Sequence, residues 1–449
     1  MKNQRISLRL IMMNFLQYAV WGAYLTSMGS YLANAGLGSR IGLFFSMQGI
    51  VSIFMPALVG IVADKFIPAQ KVLSGCHFLA ALFMLAAGSY GVTAGGSVQF
   101  GLLFTLYSLS VAFYMPTIAL SNSVAYAGLE GAGKDTVKAF PPIRVFGTIG
   151  FICSMIAVDL AGLQHTPWQF MVSGSLGIVL GLYALTLPNV PVKKVQAQSF
   201  MEASGLKAFT LFRNPQMAIF FIFSMLLGSA LQITNGFANP FLTQFGANPD
   251  YAGTFGVNHA NILISLSQCS ETLCILLIPF FMKKFGIKKV MLTAMFAWVF
   301  RFGFFGIGDP AFPGVVWFIL SMIVYGVAFD FFNISGSLYV NRKTTEDIRS
   351  SAQGLFMLMT NGLGATIGTL AAQGVVNRFT HFAEVTINGA AQGVTVGNHP
   401  DSWSHVWFIF AGYALVVAIL FLILFRDPGR DDPSMAPDFS PRAEDPAKA

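Results

Sequence analysis

The sequence predicts an all-α polytopic membrane protein, with twelve transmembrane helices in two pseudo-symmetric six-helix bundles. Three observations carry that expectation. Of the 449 residues, 55% are hydrophobic and only 10% charged, against about a quarter charged in a typical soluble domain. The apolar residues gather into runs long enough to cross a hydrocarbon core of about 30 Å. The second half of the chain also echoes the first.

The runs lie near residues 8–32, 41–63, 71–93, 98–122, 141–162, 168–187, 216–243, 259–282, 288–307, 313–340, 351–377 and 404–426. The first, behind Met-Lys-Asn-Gln-Arg, is too long for the apolar core of a signal peptide and lacks a small-residue cleavage site, so it reads as a span. Several runs contain Gly, Pro or Asn, tolerated where neighbouring helices or water satisfy the backbone. Three polar stretches remain: a connection at 188–215, a loop near 379–403 and a tail at 427–449 rich in Pro, Asp and Ser. The expected organisation is a first bundle at 1–187, a cytoplasmic linker at 188–215, a second bundle at 216–426 and a disordered tail. No large soluble domain fits.

The net charge of +7 would suggest nucleic acid in a soluble protein. Here the basic residues sit in short loops, and topology explains them better. One side of the membrane receives Lys2, Arg5, Arg9, Lys65, Lys71, Lys134 and Lys138, then Lys193, Lys194, Lys207, Arg213, Lys283, Lys284, Lys288 and Lys289, then Arg342, Lys343 and Arg349. The opposite loops offer little beyond Arg40 and Arg378. Both termini are therefore expected in the cytoplasm, in agreement with an even span count. The four cysteines, Cys76, Cys153, Cys269 and Cys274, fall within or beside apolar runs without metal-ligand spacing, and are expected to be buried free thiols.

The internal repeat pairs Val111-Ala-Phe-Tyr-Met-Pro-Thr-Ile-Ala-Leu-Ser121 with Val327-Ala-Phe-Asp-Phe-Phe-Asn-Ile-Ser-Gly-Ser337, identical at five positions. Lys65-Phe66 after the second run pairs with Lys284-Phe285 after the eighth at nearly the same offset. Two halves in the same orientation around a midplane site describe secondary transporters of the major facilitator type.

Candidate functional residues follow from polar groups inside apolar runs. Asp330 lies mid-run, where a carboxylate is costly and by default marks a function, with a purely structural tie to a neighbouring helix as the alternative. Tyr325 and Phe329, four apart, give one flank of its helix an aromatic face, and Asp330, Asn333 and Ser337 an adjoining hydrogen-bonding one. Such a pair of surfaces suits a flat polar ligand. Glu271 is a second acid inside an apolar run, one turn from Gln268. Arg144, Thr148 and Phe151 share a face in the fifth run, although Arg144 could equally snorkel to the interface. Gln232 and Asn235 share a face in the seventh, as do Asn14, Gln17 and Trp21 in the first; for the amides, helix-to-helix glue is the better reading. Gly60-Ile-Val-Ala-Asp64-Lys65 resembles the Gly-x-x-x-Asp-Arg/Lys loop motif of the major facilitator superfamily, with its following Gly-Arg-Lys degraded. It assigns Asp64 to gating and stability.

The segments FPPIR-x-x-GTIGF, FFIFSMLLG-x-x-LQITN, S-Q-x-S-ET and SMIVYG-x-AFDFFNISGS resemble the bacterial nucleoside:proton symporters, the nucleoside and xanthosine permease branch of the major facilitator superfamily. The similarity runs from the first span to the twelfth and fails only in the tail. It implies proton-coupled uptake of purine and pyrimidine nucleosides across the bacterial cytoplasmic membrane, by a monomer embedded in the lipid bilayer, without nucleic acid, cofactor or metal. It places substrate-contacting positions on Arg144, Thr148, Phe151, Gln232, Asn235, Gln268, Glu271, Tyr325, Phe329 and Asp330, with Asp330 or Glu271 carrying the proton. Phe146 and Ala230 depart from the Trp and the acid expected in close relatives, which leaves base preference open. Rival readings are a carrier of another small polar metabolite, an intramembrane enzyme and a transporter-like receptor. The enzyme lacks HExxH, a suitable GxSxG or paired aspartates, and the receptor lacks a polar output domain. The six histidines sit mostly at span ends or in outer loops, where solvation is expected.

Overall fold

A computed structural model describes residues 2–190, 206–387 and 389–426. Helix α1 (Lys2–Gly22) stops short, and residues 23–27 turn before a second segment, α2 (Met28–Asn34), completes the first crossing. There follow α3 (Ile41–Lys65), α4 (Ala69–Ala94), α5 (Phe100–Gly131), α6 (Thr136–Leu160) and α7 (Trp168–Ala184). The later helices are α8 (Pro215–Gln244), α9 (Ala260–Ile307), α10 (Val315–Lys343), α11 (Glu346–Met357), α12 (Ala365–Phe379) and α13 (Ser402–Leu424). A π-helical turn, Leu358–Gly364, joins α11 to α12.

Among the described residues nine helices are long and apolar enough to cross a membrane. Two features separate that number from the twelve runs of the sequence. The charged start and early stop of α1, and the 17 residues of α7, fall outside a strict length-and-hydropathy criterion. Helix α9 is continuous for 48 residues except at Gly286, whose φ of 77° is left-handed. A straight helix would put Ser267 and Arg301 about 50 Å apart at 1.5 Å per residue. Their side chains are 3.2 Å apart, so the chain doubles back at Gly286 and α9 is two antiparallel arms.

In lipid, helix association relies on close backbone approach rather than on the hydrophobic effect. Small residues supply it here. A Cβ on Gly22 would strike the Phe151 backbone, and one on Gly150 the Phe15 backbone, so α1 and α6 meet at near-contact distance. Gly228 of α8 lies in the same way against the Thr360 carbonyl of the π turn. Buried aromatic rings fill much of the remaining interior, with Phe220, Phe241, Trp298 and Trp407 essentially inaccessible.

Several expectations need correction. Within a mostly helical fold the polar stretch near 379–403 is not an irregular loop: it forms an antiparallel hairpin, β1 (Thr380–Ile387) and β2 (Ala390–Gly397), in register from Thr380↔Gly397 to Ile387↔Ala390. The signal was present as β-branched residues either side of Asn388-Gly389, a short-turn dipeptide, and Gly389 takes a φ of 81°. Of the four free cysteines only Cys76 and Cys274 are buried; Cys153 and Cys269 are exposed on the outer faces of their helices. His77 is not at a span end but fully buried within α4, bonded to Gln17, and His259 pairs with Asp159. The Asp64 side chain, part of the linker (191–205) and the tail (427–449) lie outside the described residues.

Candidate functional site

Helix α6 carries Arg144, Thr148 and Phe151 towards the interior. The Arg144 guanidinium lies over the Tyr18 ring of α1, 4.0 Å from its centroid. Gly147 makes the room, because a Cβ there would meet the Tyr18 ring at 2.6 Å and Arg144 Nη1 at 2.8 Å. Arg144 is thus folded inward against an aromatic face rather than snorkelled to the interface. Two turns on, Phe151 stands edge-on to Trp21, whose ring in turn contacts Tyr114. Gln17 is committed elsewhere: it donates to Thr117 Oγ1 at 2.7 Å, bonds His77 at 2.8 Å and accepts from Tyr114 through its carbonyl. For that amide the reading as helix glue fits.

The second half of the chain contributes the acids. Glu271, in the first arm of α9, and Asp330, in α10, lie within electrostatic reach of each other and of Arg144. Tyr325 stacks on Phe329 with centroids 5.9 Å apart and planes at 6°, so the two rings predicted to share a face lie parallel to each other. Gln232 and Asn235 of α8 touch through a long bond of 3.4 Å.

Part of this polar set is unsatisfied. Among the described residues neither acid is in an ion pair, and Asp330 Oδ2 is buried without a hydrogen-bond partner. Gln268 Oε1 is in the same position. An orphaned polar atom away from water costs about 1–3 kcal/mol, and an isolated buried carboxylate more unless it takes up a proton or a partner. The structure therefore brings one guanidinium and two carboxylates within electrostatic reach of one another from both halves of the chain, beside the Tyr325 and Phe329 rings. Thr148 is half-buried on the Arg144 face of α6.

Two neighbours were not singled out in the sequence. Tyr18, beside Gln17, is the aromatic platform for Arg144. Arg301, in the second arm of α9, is only 2% exposed; it lies in Phe300-Arg301-Phe302, inside an apolar run, and the rule that flagged Asp330 would have flagged it too.

A second constellation closes one end of the molecule, the end that carries the hairpin. Asp159, at the close of α6, accepts from His259 Nδ1 at 2.6 Å and from the backbone N–H groups of Asn261 and Ile262 at 3.0 and 3.3 Å. It thereby caps the start of α9 from the other half of the chain. Thr26 donates to Asn261, Ser30 to Asn239, and Gln164 to the Asn258 carbonyl. The Asn34 side chain accepts from the Gly393 N–H of β2 at 2.7 Å, and Gln373 of α12 accepts from the Gly42 N–H and donates to the Gly38 carbonyl.

Comparison with known proteins gives this geometry a lineage. The family described as Nucleoside H+ symporter matches residues 4–430. The chain belongs to that family. It is 46% identical to the xanthosine permease of Escherichia coli and 45% identical to the nucleoside permease NupG of the same organism. Each alignment covers 94% of this chain and 96% of the relative. The crystal structure of the nucleoside transporter NupG superposes with a TM-score of 0.83 at 45% identity, over 94% of this chain and 99% of the other. The fold is thus of the major facilitator type, and the protein is a membrane transporter, not an enzyme.

Proposed function

We propose that this symporter takes up both purine and pyrimidine nucleosides with protons, by alternating access, at the site formed by Arg144, Thr148, Phe151, Gln232, Asn235, Gln268, Glu271, Tyr325, Phe329 and Asp330. The observation that carries the reading is the meeting of Arg144, from the first half, with Glu271 and Asp330, from the second, beside the Tyr325–Phe329 surface. An aromatic face stacks on any base, worth about 1–3 kcal/mol per base, which supports breadth. Ribose hydroxyls both donate and accept, so they match a carboxylate and a guanidinium at once.

Proton coupling follows from the same three groups. Arg144 faces both carboxylates from the opposite half, so any movement of one half against the other changes the charge that each acid meets. Asp330 is the preferred carrier because it lies one residue beyond Phe329 and so senses the base directly, with Glu271 as the alternative. The chain crosses the bacterial cytoplasmic membrane twelve times as two bundles, 1–187 and 216–426, in this reading, acts as a monomer and keeps both termini in the cytoplasm. The basic loops support that orientation. The hairpin end is then the outer one, closed in this state, and Asp64 serves the gate at the other end.

Uptake of labelled uridine and adenosine into proteoliposomes with an imposed pH gradient tests the proposal. Accumulation of both above the external concentration, with mutual competition and little competition from free uracil or adenine, is expected. Uptake of the free bases as efficient as that of the nucleosides would contradict the sugar-recognition part.

A further inference from the structure

Arg301 is an anomaly in energetic terms. Its guanidinium is buried in the second arm of α9, and among the described residues no carboxylate pairs with it. Nη1 donates to the Ser321 carbonyl at 2.8 Å and to Ser267 Oγ at 3.2 Å, while Nε has no partner. Ser321 Oγ returns a bond to the Arg301 carbonyl at 2.9 Å. The planar group lies over the Tyr325 ring, 4.5 Å from its centroid, and also near Phe305 at 5.4 Å. Trp298, one turn earlier, meets the same Tyr325 ring edge-on at 6.0 Å. A cation kept in so dry a place without a counter-ion is costly, and replacing it by an apolar residue of similar volume would be expected to stabilise the fold. Its contacts converge on Tyr325 and on Ser267, the neighbour of Gln268.

We infer that Arg301 is a positioning residue for nucleoside recognition, holding the Tyr325 ring, and through it the Tyr325–Phe329 surface, in register with the Gln268 turn of α9. The planar fork is what the task needs: two donors fix Ser267 and Ser321 while the flat face supports a ring, and a lysine ammonium can do one but not the other. Arg301 itself touches no substrate in this arrangement. The inference rests on the proposed role of Tyr325 in the site.

The test is a double-mutant cycle on the purified full-length transporter, with uridine affinity measured by calorimetry and folding by thermal melting. Arg301→Gln is expected to weaken uridine about tenfold, the scale of a desolvated cation–π contact, and Arg301→Lys to weaken it less. In a Tyr325→Ala background Arg301→Gln should add less than about a twofold loss, because the two side chains act as one unit. Independent losses that multiply would overturn the inference, as would unchanged affinity in Arg301→Gln. Failure of both Arg301→Gln and Arg301→Lys to fold would assign Arg301 to structure alone and overturn it equally. If Tyr325→Ala by itself leaves uridine binding intact, the reading of the site fails first, and this inference with it.

Discussion

The hairpin end and the centre of the membrane use the same kinds of side chain to opposite effect. At the hairpin end Asp159, Asn239, Asn261, Gln373 and Asn34 reach across to the other half of the chain and find partners, Asp159 three of them. At the centre Asp330, Gln268 and Arg301 are buried with an atom left over; Asn261 Nδ2, Tyr31 Oη and Thr395 Oγ1 are left over at the hairpin end too, but there the Asp159 carboxylate is bonded through both oxygens, whereas Asp330 Oδ2 is bonded to nothing among the described residues. Satisfied polar networks in a low dielectric hold a conformation; unsatisfied ones await a ligand or a proton. In the proposed account the region around Asp159 acts as a latch and the region around Asp330 as the site, and transport breaks the first to serve the second.

The largest effect expected from this contrast concerns the acids. Asp330→Asn keeps shape and removes titration. It should abolish accumulation of uridine driven by a pH gradient while sparing a measurable part of uridine exchange at equal pH. Gradient-driven accumulation intact in that variant would move the proton to Glu271, where Glu271→Gln should then show the loss.

Next in size is the aromatic surface. Phe329→Ala should weaken purine and pyrimidine nucleosides together by about 1–3 kcal/mol, or roughly 5- to 150-fold in affinity, measured by competition against labelled uridine. A loss confined to purines would show that shape or hydrogen bonding, not stacking, dominates there.

A smaller effect is expected at the latch. Asp159→Asn weakens the cap on α9 and the bond to His259, and should destabilise the closed hairpin end by about 1–3 kcal/mol. Hydrogen exchange at residues 259–262 should accelerate while uridine affinity at the central site changes little. Unchanged exchange there would mean that Asp159 is not holding the end shut. Smallest of all, Asn34→Ala removes one bond to the hairpin, about 1 kcal/mol, visible as faster exchange of the Gly393 amide with near-normal uptake.

The site was more legible in the sequence than the latch, for a physical reason. Intramembrane acids stand out against apolar runs, and helical spacing fixes which residues share a face, so Tyr325 with Phe329 could be placed as neighbours. Family resemblance added the pairing of Arg144 with the acids of the other half, which local spacing cannot give. Arg301, a charge inside the run 288–307, is just as visible in the sequence as the acids. The latch was not legible: Thr26, Asn239 and Asn261 are ordinary polar residues at run ends, and only the fold brings positions 235 residues apart, such as Thr26 and Asn261, into contact. The hairpin hid inside a stretch whose polarity read as loop, although its Asn388-Gly389 dipeptide was in plain view. The doubling back of α9 at Gly286 falls in the basic loop that the sequence places between its eighth and ninth runs.

The central claim, that the hairpin-end contacts must open for each cycle, is tested most directly by locking them. Thr26→Cys and Asn261→Cys, in a background with the four native cysteines replaced, put thiols on two side chains that now bond across the two halves at 3.1 Å, and mass spectrometry reads the extent of disulfide formation before uptake is measured. Oxidation should abolish uridine uptake, reduction should restore it, and uridine should still bind from the opposite end in the locked form. Full uptake with the cross-link quantitatively formed would contradict the account.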